Sequence, residues 1–235
     1  MIRLDKFFTE TATLSRSEAN AEIKKGRVTV DGEIIKKPDC KINEQTAKVI
    51  YNGQVINYNK YVYIMLNKPS GVVSATEDAR QKTVLDLLPQ KYKKMGLFPC
   101  GRLDKDTLGL VILTNDGISA HKLLAPKKHV SKVYYFECAE ELTKHNEHKL
   151  EAGILLKDGY VTKPCRIHMK EKNRGYIQLT EGKYHEIKRM FGAVGNKITF
   201  LERTNFGALA LDPTLQRGEF RELTNLEVEQ LIKNL

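Results

Sequence analysis

The stretch GRLDKDTLGLVILTNDG, Gly101–Gly117, combines two features that organise the rest of the chain. Its second half is an apolar run that ends at Asn115–Gly117, the pattern of a buried strand followed by a turn. Its first half places Arg102, Asp104 and Asp106 directly ahead of that strand. The stretch therefore predicts one core element and, at its entrance, a set of candidate functional side chains.

Strand and helix patterns continue on both sides of this stretch. Strands are predicted at residues 61–71 (YVYIMLNKPSG), 132–139 (KVYYFECA), 176–179 (YIQL) and 197–212 (KITFLERTNFGALALD), and helices at 83–89 (TVLDLLP), 118–126 (ISAHKLLAP), 141–153 (ELTKHNEHKLEAG) and 183–195 (KYHEIKRMFGAVG). The order contains no βαβ series with glycine-rich phosphate loops and no internal repeat. We therefore expect an α+β fold in which a mixed, largely antiparallel sheet is flanked by helices.

The first 58 residues have the pattern of a small separate domain. Residues 2–12 (IRLDKFFTETA) place apolar side chains at helical spacing, and SRSE at 15–18 matches a capping box that begins a second helix. That helix should end at Gly26. Asp31–Gly32 then joins two strand-forming runs in a tight hairpin. A polar, turn-rich segment follows, so we place a linker at residues 57–60 and predict domains at 1–58 and 59–235.

Charge and cysteine content limit the function classes. Lys and Arg number 39 against 29 Asp and Glu, a net charge of +10, which favours a polyanionic partner: nucleic acid first, an anionic membrane surface second. No segment approaches the ~18 apolar residues of a membrane span, and we expect no signal peptide because the charged N-terminal residues leave no apolar h-region. The cysteines form no CxxC pair and fit reduced thiols in the cytoplasm; they are Cys40, Cys100, Cys138 and Cys165.

The N-terminal pattern RLDKF, SRSEA and GRVTVDGE resembles the S4 RNA-binding domain. In that domain a helix pair and the following hairpin bind structured RNA, so the resemblance implies the class of partner and not the chemistry. The basic residues that it assigns to RNA binding are Arg3, Lys6, Arg16 and Arg27. The alternative for these residues is a basic helix face that is merely solvated.

Two chemistries remain open for Asp104 from the residues alone. Asp104 and Asp106 form a D-x-D pair that could hold a divalent metal, although no further ligand has suitable spacing. His185–Glu186 does not complete an HExxH zinc motif, because Arg189 stands where the second histidine belongs. A carboxylate can also attack a sugar carbon, provided that a cation keeps it ionised and oriented. The basic cluster in KYHEIKRM could supply that cation or could face RNA.

A second resemblance covers residues 61–223. The motifs KPSG, GRLDKDTLGLVILTNDG, KVY, EGKYHEIKRMFGAVG and LERTNFGALALD occur in an order similar to that of the RsuA-type pseudouridine synthases. It implies that Asp104 is the catalytic aspartate, which attacks the sugar or, in a variant of the reaction, the base. It also implies that Tyr134 lies over the target base and that Lys188 pairs with the aspartate. Relatives often carry Arg at the Lys188 position, and Lys keeps the charge without the bidentate fork. Lys68 and Pro69 match a strand-turn motif that we interpret as structural.

The resemblance also implies RNA contacts around this site. Arg102 matches an arginine that helps to hold the RNA strand open. The other residues expected to contact RNA here are Lys132, Lys183, His185 and Arg189. The reaction moves uracil from an N1 to a C5 linkage on the same sugar, so no cofactor, metal or second substrate is expected. The target base must be flipped out of its helix, and an aromatic ring such as Tyr134 can stack on it.

The implied partner is ribosomal RNA. Within the family the chain most resembles members that modify 16S rRNA of the small subunit, and the first alternative is 23S rRNA. The substrate is either free RNA or a partly assembled subunit. A monomer in the cytoplasm without membrane contact is expected. Two other classes remain as alternatives: a non-catalytic RNA-binding assembly factor, and a metal-dependent nuclease or transferase that uses Asp104 and Asp106.

Overall fold

The computed structural model describes residues 1–125 and 128–233, which form two compact units. One unit contains Met1–Val62 and Leu88–Leu97, and the other contains the remaining described residues. The boundary that we place after residue 58 remains a prediction. Pro126, which closes the helix predicted at 118–126, lies outside the described residues, as do the last two residues of the predicted second domain. No described helix is long and apolar enough to cross a membrane.

The first unit is a helix pair combined with short antiparallel strands. Its elements are β1 (Ile2–Arg3), α1 (Leu4–Glu10), α2 (Arg16–Lys24), β2 (Val28–Val30), β3 (Glu33–Ile34), β4 (Lys41–Ile42), β5 (Val49–Tyr51) and β6 (Gln54–Ile56). The strands pair in the order β3-β2-β5-β6, with β1 on β4. Phe7 and Phe8 of α1 are fully buried in the core of this unit, together with Ile23 of α2 and Val28 of β2.

Local signals in the first unit produce the predicted turns. The Ser15 hydroxyl accepts from the Glu18 N–H over 3.3 Å, and the Glu18 carboxylate accepts from the Ser15 N–H over 2.8 Å, so the capping box is confirmed. Gly26 has a φ of +70° directly after α2. Asp31 and Gly32 have φ values of +53° and +91° between β2 and β3, which is the backbone of a tight hairpin.

The second unit is built on a large mixed sheet. In chain order its elements are β7 (Tyr63–Lys68), a 3₁₀-helix (Val84–Leu87), β8 (Phe98–Cys100), β9 (Leu108–Thr114), α4 (Gly117–Leu124), β10 (Lys132–Cys138), α5 (Lys144–Ala152), β11 (Arg166–Glu171), β12 (Arg174–Leu179), α6 (Glu186–Ala193), β13 (Ile198–Phe206), β14 (Leu209–Ala210), β15 (Phe220–Glu222) and α7 (Asn225–Ile232); helix α3 (Gln90–Lys94) belongs to the first unit.

The strand order of this sheet is β11-β12-β10-β13-β9-β7-β15, with β8 added on β9 and β14 on β13. Among the described strands β9 and β13 are parallel, and the other pairs are antiparallel. The predicted α+β class with a mixed, largely antiparallel sheet is therefore confirmed. The predicted turn at Asn115–Gly117 is also the start of α4, because the Asp116 carboxylate caps that helix by accepting from the Ser119 N–H.

Candidate active site

Asp104 lies on a loop that connects β8 to β9 and is anchored on both sides. The Leu103 N–H donates to Ser74 Oγ over 3.0 Å, and the Ser74 hydroxyl donates to the Leu103 carbonyl over 3.1 Å. After Asp104 the chain makes a turn in which the Thr107 N–H donates to the Asp104 carbonyl over 3.1 Å. The loop is held through its backbone, which leaves the Asp104 side chain available for other contacts.

Lys68, at the end of β7, fixes the same loop from beneath. Its side chain has no solvent exposure, and its ammonium donates to the carbonyl oxygens of Thr107 at 2.7 Å and of Lys105 and Pro69 at 3.1 Å each. Burial lowers the pKa of Lys68 to about 8, against the opposing effect of Asp106 and Asp104. The contacts support our interpretation of this lysine as a structural residue.

Strands β9 and β13 approach each other very closely behind the loop. Gly109 has a φ of +96°, and a Cβ built on it would lie 2.3 Å from the Arg203 carbonyl oxygen. Only glycine fits at this position, because any side chain would collide with backbone. The close approach sets the distance between the start of β9, which follows Asp104, and the middle of β13.

The opposite wall of the site is the segment between β12 and α6. His185 has a left-handed backbone with a φ of +48° and directly precedes α6. The Lys183 N–H donates to Glu186 Oε2 over 2.8 Å, which closes the turn. Burial, followed by a hydrogen bond with Glu181, raises the pKa of Glu186 to about 8, so Glu186 is largely protonated at neutral pH.

Lys188, in the first turn of α6, contacts the loop that carries Asp104. Its Nζ lies 3.2 Å from Asp104 Oδ2 and 2.5 Å from Asp106 Oδ1, and His185 Nε2 lies 3.5 Å from Asp104 Oδ1. Burial opposes the charge of Lys188, but the hydrogen bonds to Asp106 and Asp104 outweigh it and raise the pKa of Lys188. The same hydrogen bond to Lys188 lowers the pKa of Asp106.

The ammonium group occupies the position between the two carboxylates that a divalent cation would need. A metal ion placed there would face a fixed positive charge. Within residues 1–125 and 128–233, no group of three or more His, Cys, Asp or Glu side chains is arranged to hold a metal.

Asp104 and Lys188 open into a pocket in the second unit. Tyr134 of β10 is buried in its wall and Leu201 of β13 lines it. The pocket is further lined by residues of the loops that face each other across it, which include Arg102, Leu103, Thr107, Gly182, Lys183, His185, Glu186 and Ile187. The arrangement places the Asp104 carboxylate, the Lys188 ammonium and the Tyr134 ring around a small cavity that is also lined by the basic side chains of Arg102, Lys183 and His185.

Six of the remaining predicted residues lie outside this pocket. Arg189 forms an ion pair with Asp158 at 2.5 Å. The four predicted basic residues of the first unit each lie within 4 Å of a carboxylate: Arg3 and Arg16 near Asp5, Lys6 near Glu10 and Arg27 near Glu22. All four side chains nevertheless keep 46% to 71% of their surface exposed. Lys132 lies in a second cavity, which shares Tyr134 and Arg102 with the pocket.

Sequence reasoning missed three residues of this region. Tyr184 is 74% exposed, stacks on His185 at a centroid distance of 3.8 Å and lines the outer part of the cleft with Asp104. The sequence feature that could have identified Tyr184 is an aromatic residue within a run of basic residues. Arg203 is 2% exposed on β13. The sequence feature that could have identified Arg203 is its position as a charged residue in the middle of a strand. Nothing in the sequence distinguished Glu186 from a surface helix residue.

Comparisons with known proteins agree with this geometry. Residues 62–193 match the family model of the RNA pseudouridylate synthases, and residues 2–45 match the S4 domain. An uncharacterised RNA pseudouridine synthase of Bacillus subtilis is 43% identical over 98% of both chains. The ribosomal small subunit pseudouridine synthase A of Haemophilus influenzae is 36% identical over 99% of this chain and 100% of its own. A crystal structure of a pseudouridylate synthase, 35% identical, matches with a TM-score of 0.70 over 99% and 100% of the two chains. The chain therefore belongs to the RsuA family of RNA pseudouridine synthases.

Proposed function

We propose that this enzyme isomerises a uridine of 16S rRNA with Asp104 as the nucleophile. The observation that carries the role of Asp104 is its contact with Lys188 at 3.2 Å in a pocket that also contains Tyr134. Support for 16S rRNA comes from the full-length likeness to enzymes named ribosomal small subunit pseudouridine synthase A. We further propose that the enzyme acts as a monomer in the cytoplasm, where ribosomal RNA is assembled into subunits.

The chemistry follows from the groups around the pocket. The Asp104 carboxylate attacks C1′ of the ribose, and the C1′–N1 bond breaks with its electron pair on the uracil ring. The detached ring turns within the pocket, C5 attacks C1′, and the Asp104 carboxylate leaves. The proton on C5 is then lost and N1 gains one, so the product is an isomer of the substrate. Lys188 keeps the Asp104 carboxylate charged and holds it in the orientation from which it can attack.

Tyr134 and the basic entrance supply binding. Uracil in a helix is out of reach of a carboxylate that lies in a pocket, so the nucleotide must be flipped into that pocket, where the Tyr134 ring can stack on it. Arg102, Lys183 and His185 surround the entrance and are placed to contact the RNA strand from which the base has been withdrawn.

The rRNA target is tested by mapping pseudouridine in cells with and without the gene. We expect one 16S position to lose its pseudouridine in the deletion strain and to regain it when the wild-type gene is restored. Loss of a 23S position in place of a 16S position would reassign the substrate within the same family.

The role of Asp104 is tested with Asp104→Asn on a 16S transcript. This nearly isosteric change should abolish pseudouridine formation while RNA affinity remains within about threefold of wild type. Residual turnover within about tenfold of wild type, less than ~1.4 kcal/mol of barrier, would overturn the nucleophile assignment. A matched change, Asp106→Asn, removes a neighbouring carboxylate that is not placed to react and serves as the control.

A further inference from the structure

A second cavity adjoins the Asp104 pocket and has an unusual charge. The two share Arg102, Tyr134, Gly182 and Lys183 as lining residues. Five basic residues and one carboxylate line the second cavity among the described residues, the basic ones being Arg102, Lys132, Lys163, Lys183 and Arg203 and the carboxylate Glu181. The proposed isomerisation uses none of Lys132, Lys163 or Arg203.

One of these cations, Arg203, is buried in the cavity wall, and Lys132 is partly buried. Arg203 is 2% exposed, and its guanidinium lies 5.2 Å from the centre of the Phe206 ring. The Lys132 ammonium lies 5.6 Å from the same ring. Arg203 Nε donates to the Leu110 carbonyl over 2.7 Å, and Lys132 Nζ donates to the Val130 carbonyl over 2.9 Å. Both charges therefore flank one aromatic ring and contact neutral partners.

Neither cation is neutralised by the described part of the chain. No described carboxylate lies within ion-pair distance of Lys132 or Arg203, and Arg203 Nη2 is buried without a hydrogen-bond partner there. Glu181 uses its two oxygens elsewhere, accepting from the Tyr160 hydroxyl at 2.6 Å and from the Lys163 N–H at 2.9 Å. Burial and then the nearby Arg203 lower the pKa of Lys132. Unpaired buried charges are costly, so this cavity is electrostatically complementary to an anion.

We infer that this cavity is a subsite for a phosphodiester group of the RNA, next to the uridine held in the Asp104 pocket. The inference rests on the proposed placement of the target uridine. A nucleotide whose base enters the Asp104 pocket carries a phosphate on each side of its ribose, and the shared wall of Tyr134 and Arg102 brings one of them within reach of the second cavity. The uracil of the bound substrate is neutral and carries charge only while it is detached from the sugar, whereas a phosphate is charged throughout and its oxygens accept charge-assisted hydrogen bonds from both cations.

Inorganic phosphate is the direct probe of this subsite. Calorimetric titration of the full-length protein with phosphate at fixed ionic strength should show binding that Lys132→Gln weakens at least tenfold. Lys170→Gln removes an exposed lysine of β11 outside the cavity and should bind phosphate as wild type does. Arg203→Lys keeps the charge but removes the planar fork, and we expect it also to weaken phosphate binding. A thermal melt of each variant verifies that it is folded.

The RNA affinity of the same variants links the subsite to the substrate. The slope of log affinity against log salt should fall by about 0.7 to 1 for Lys132→Gln, the change expected for one lost phosphate contact, and remain unchanged for Lys170→Gln. Equal phosphate binding by Lys132→Gln and Lys170→Gln, or equal salt slopes, would overturn the inference. Neither readout requires turnover, so loss of phosphate binding and salt slope in Lys132→Gln would stand even if rRNA mapping refuted the 16S target.

Discussion

The ammonium group of Lys68 lies 2.7 Å from the backbone carbonyl oxygen of Thr107. Lys68 is a fully buried residue of β7, and Thr107 closes the loop that carries Asp104. A buried lysine is normally unfavourable, and here the carbonyl oxygens of the loop are its partners. The backbone of the Asp104 loop is thus held by a charged group that has no solvent exposure.

Lys68→Met should show whether Lys68 stabilises the Asp104 loop without contributing to RNA binding. Three carbonyl oxygens would lose their donor, so the Asp104 loop should loosen, kcat should fall at least tenfold, and RNA affinity should change little. Turnover and affinity measured on one rRNA transcript test this. A rise in KM with kcat intact would show that the loop does not depend on Lys68.

The pKa of Lys68 gives a second, independent prediction. Because burial lowers it to about 8 from 10.5, the unfolded chain binds more protons at this position between pH 8 and 10.5. Stability contributed by this residue should therefore rise with pH across that window, by on the order of 2 to 3 kcal/mol. Other groups titrate there as well, so the measurement is the free energy of unfolding of wild type minus that of Lys68→Met. A difference that stays flat from pH 8 to 10.5 would contradict the prediction.

Gly109→Ala should strongly destabilise the second unit. The added Cβ would lie 2.3 Å from the Arg203 carbonyl oxygen, and the φ of +96° is unfavourable for alanine. We expect a loss of at least about 2 kcal/mol in the free energy of unfolding. Gly192→Ala is the matched control: it lies in α6 with nothing within 4 Å of an added Cβ, and it should stabilise by up to about 1 kcal/mol. Denaturant titration of the two variants gives both values.

Lys188 is expected to act on Asp104 and not on RNA phosphate. Lys188→Met keeps roughly the length and removes the charge, so kcat should fall by orders of magnitude with little change in KM. Lys188→Arg should retain substantial activity, because a guanidinium can make the same contact. Steady-state and single-turnover rates decide between the two roles. An effect of Lys188→Met confined to KM would make Lys188 an RNA contact.

Asp106 shares Lys188 with Asp104 but should matter far less. It is 70% exposed and lies 2.5 Å from the ammonium. Asp106→Asn removes one carboxylate and leaves the 3.2 Å contact of Lys188 with Asp104, so kcat should stay within about fivefold of wild type, less than ~1 kcal/mol of barrier. A loss as large as that of Asp104→Asn, measured in the same assay, would show that both carboxylates take part in the reaction.

Tyr184 should bind a base of single-stranded RNA. Its ring is 74% exposed and is held in place by stacking on His185. Tyr184→Ala should weaken the binding of a single-stranded oligonucleotide by about 1 to 3 kcal/mol, whereas Tyr184→Phe should bind as wild type does. Fluorescence anisotropy with both variants tests this, and equal affinity of the alanine and phenylalanine variants would exclude stacking.

The basic residues of the first unit should divide into two kinds. Arg3 is hydrogen-bonded to the buried Asp5 carboxylate at 2.8 and 3.0 Å, whereas Arg16 is 71% exposed and lies 3.8 Å from Asp5. Arg3→Gln should therefore lower the melting temperature by several degrees, and Arg16→Gln should weaken rRNA binding and reduce its salt slope while kcat is unchanged. Thermal melts and salt-dependent binding of both variants test this. A lower melting temperature for Arg16→Gln with an unchanged salt slope would contradict the assignment.

The sequence predicted elements that depend on local chemistry. The capping box at Ser15–Glu18 and the hairpin at Asp31–Gly32 are each decided by backbone groups a few residues apart, and both occur as predicted. The α+β class and the family could also be predicted, because the strand patterns and the order of the motifs can be identified directly in the sequence.

Features that depend on tertiary proximity were not predictable in this way. Arg203 is buried because β13 lies beside β9, and the pKa of Glu186 is raised because the fold buries its carboxyl group and brings it to Glu181. Sequence reasoning proposed Lys188 for Asp104, but it did not anticipate that Asp106 would share the same ammonium. The roles assigned to Asp104, Tyr134 and Lys188 remain predictions.

The parallel pairing of Leu108 and Gly109 with Glu202 and Arg203 determines when during synthesis the enzyme can become active. The residues of the first unit end at Leu97, whereas β9 cannot pair with β13 until the ribosome has made residues 198–206. At about 5 to 20 residues per second, roughly 5 to 20 s separate these two points. We therefore expect a nascent chain to carry its RNA-binding unit for some seconds before it has an active site. Each copy can thus contact RNA while its catalytic sheet is still incomplete.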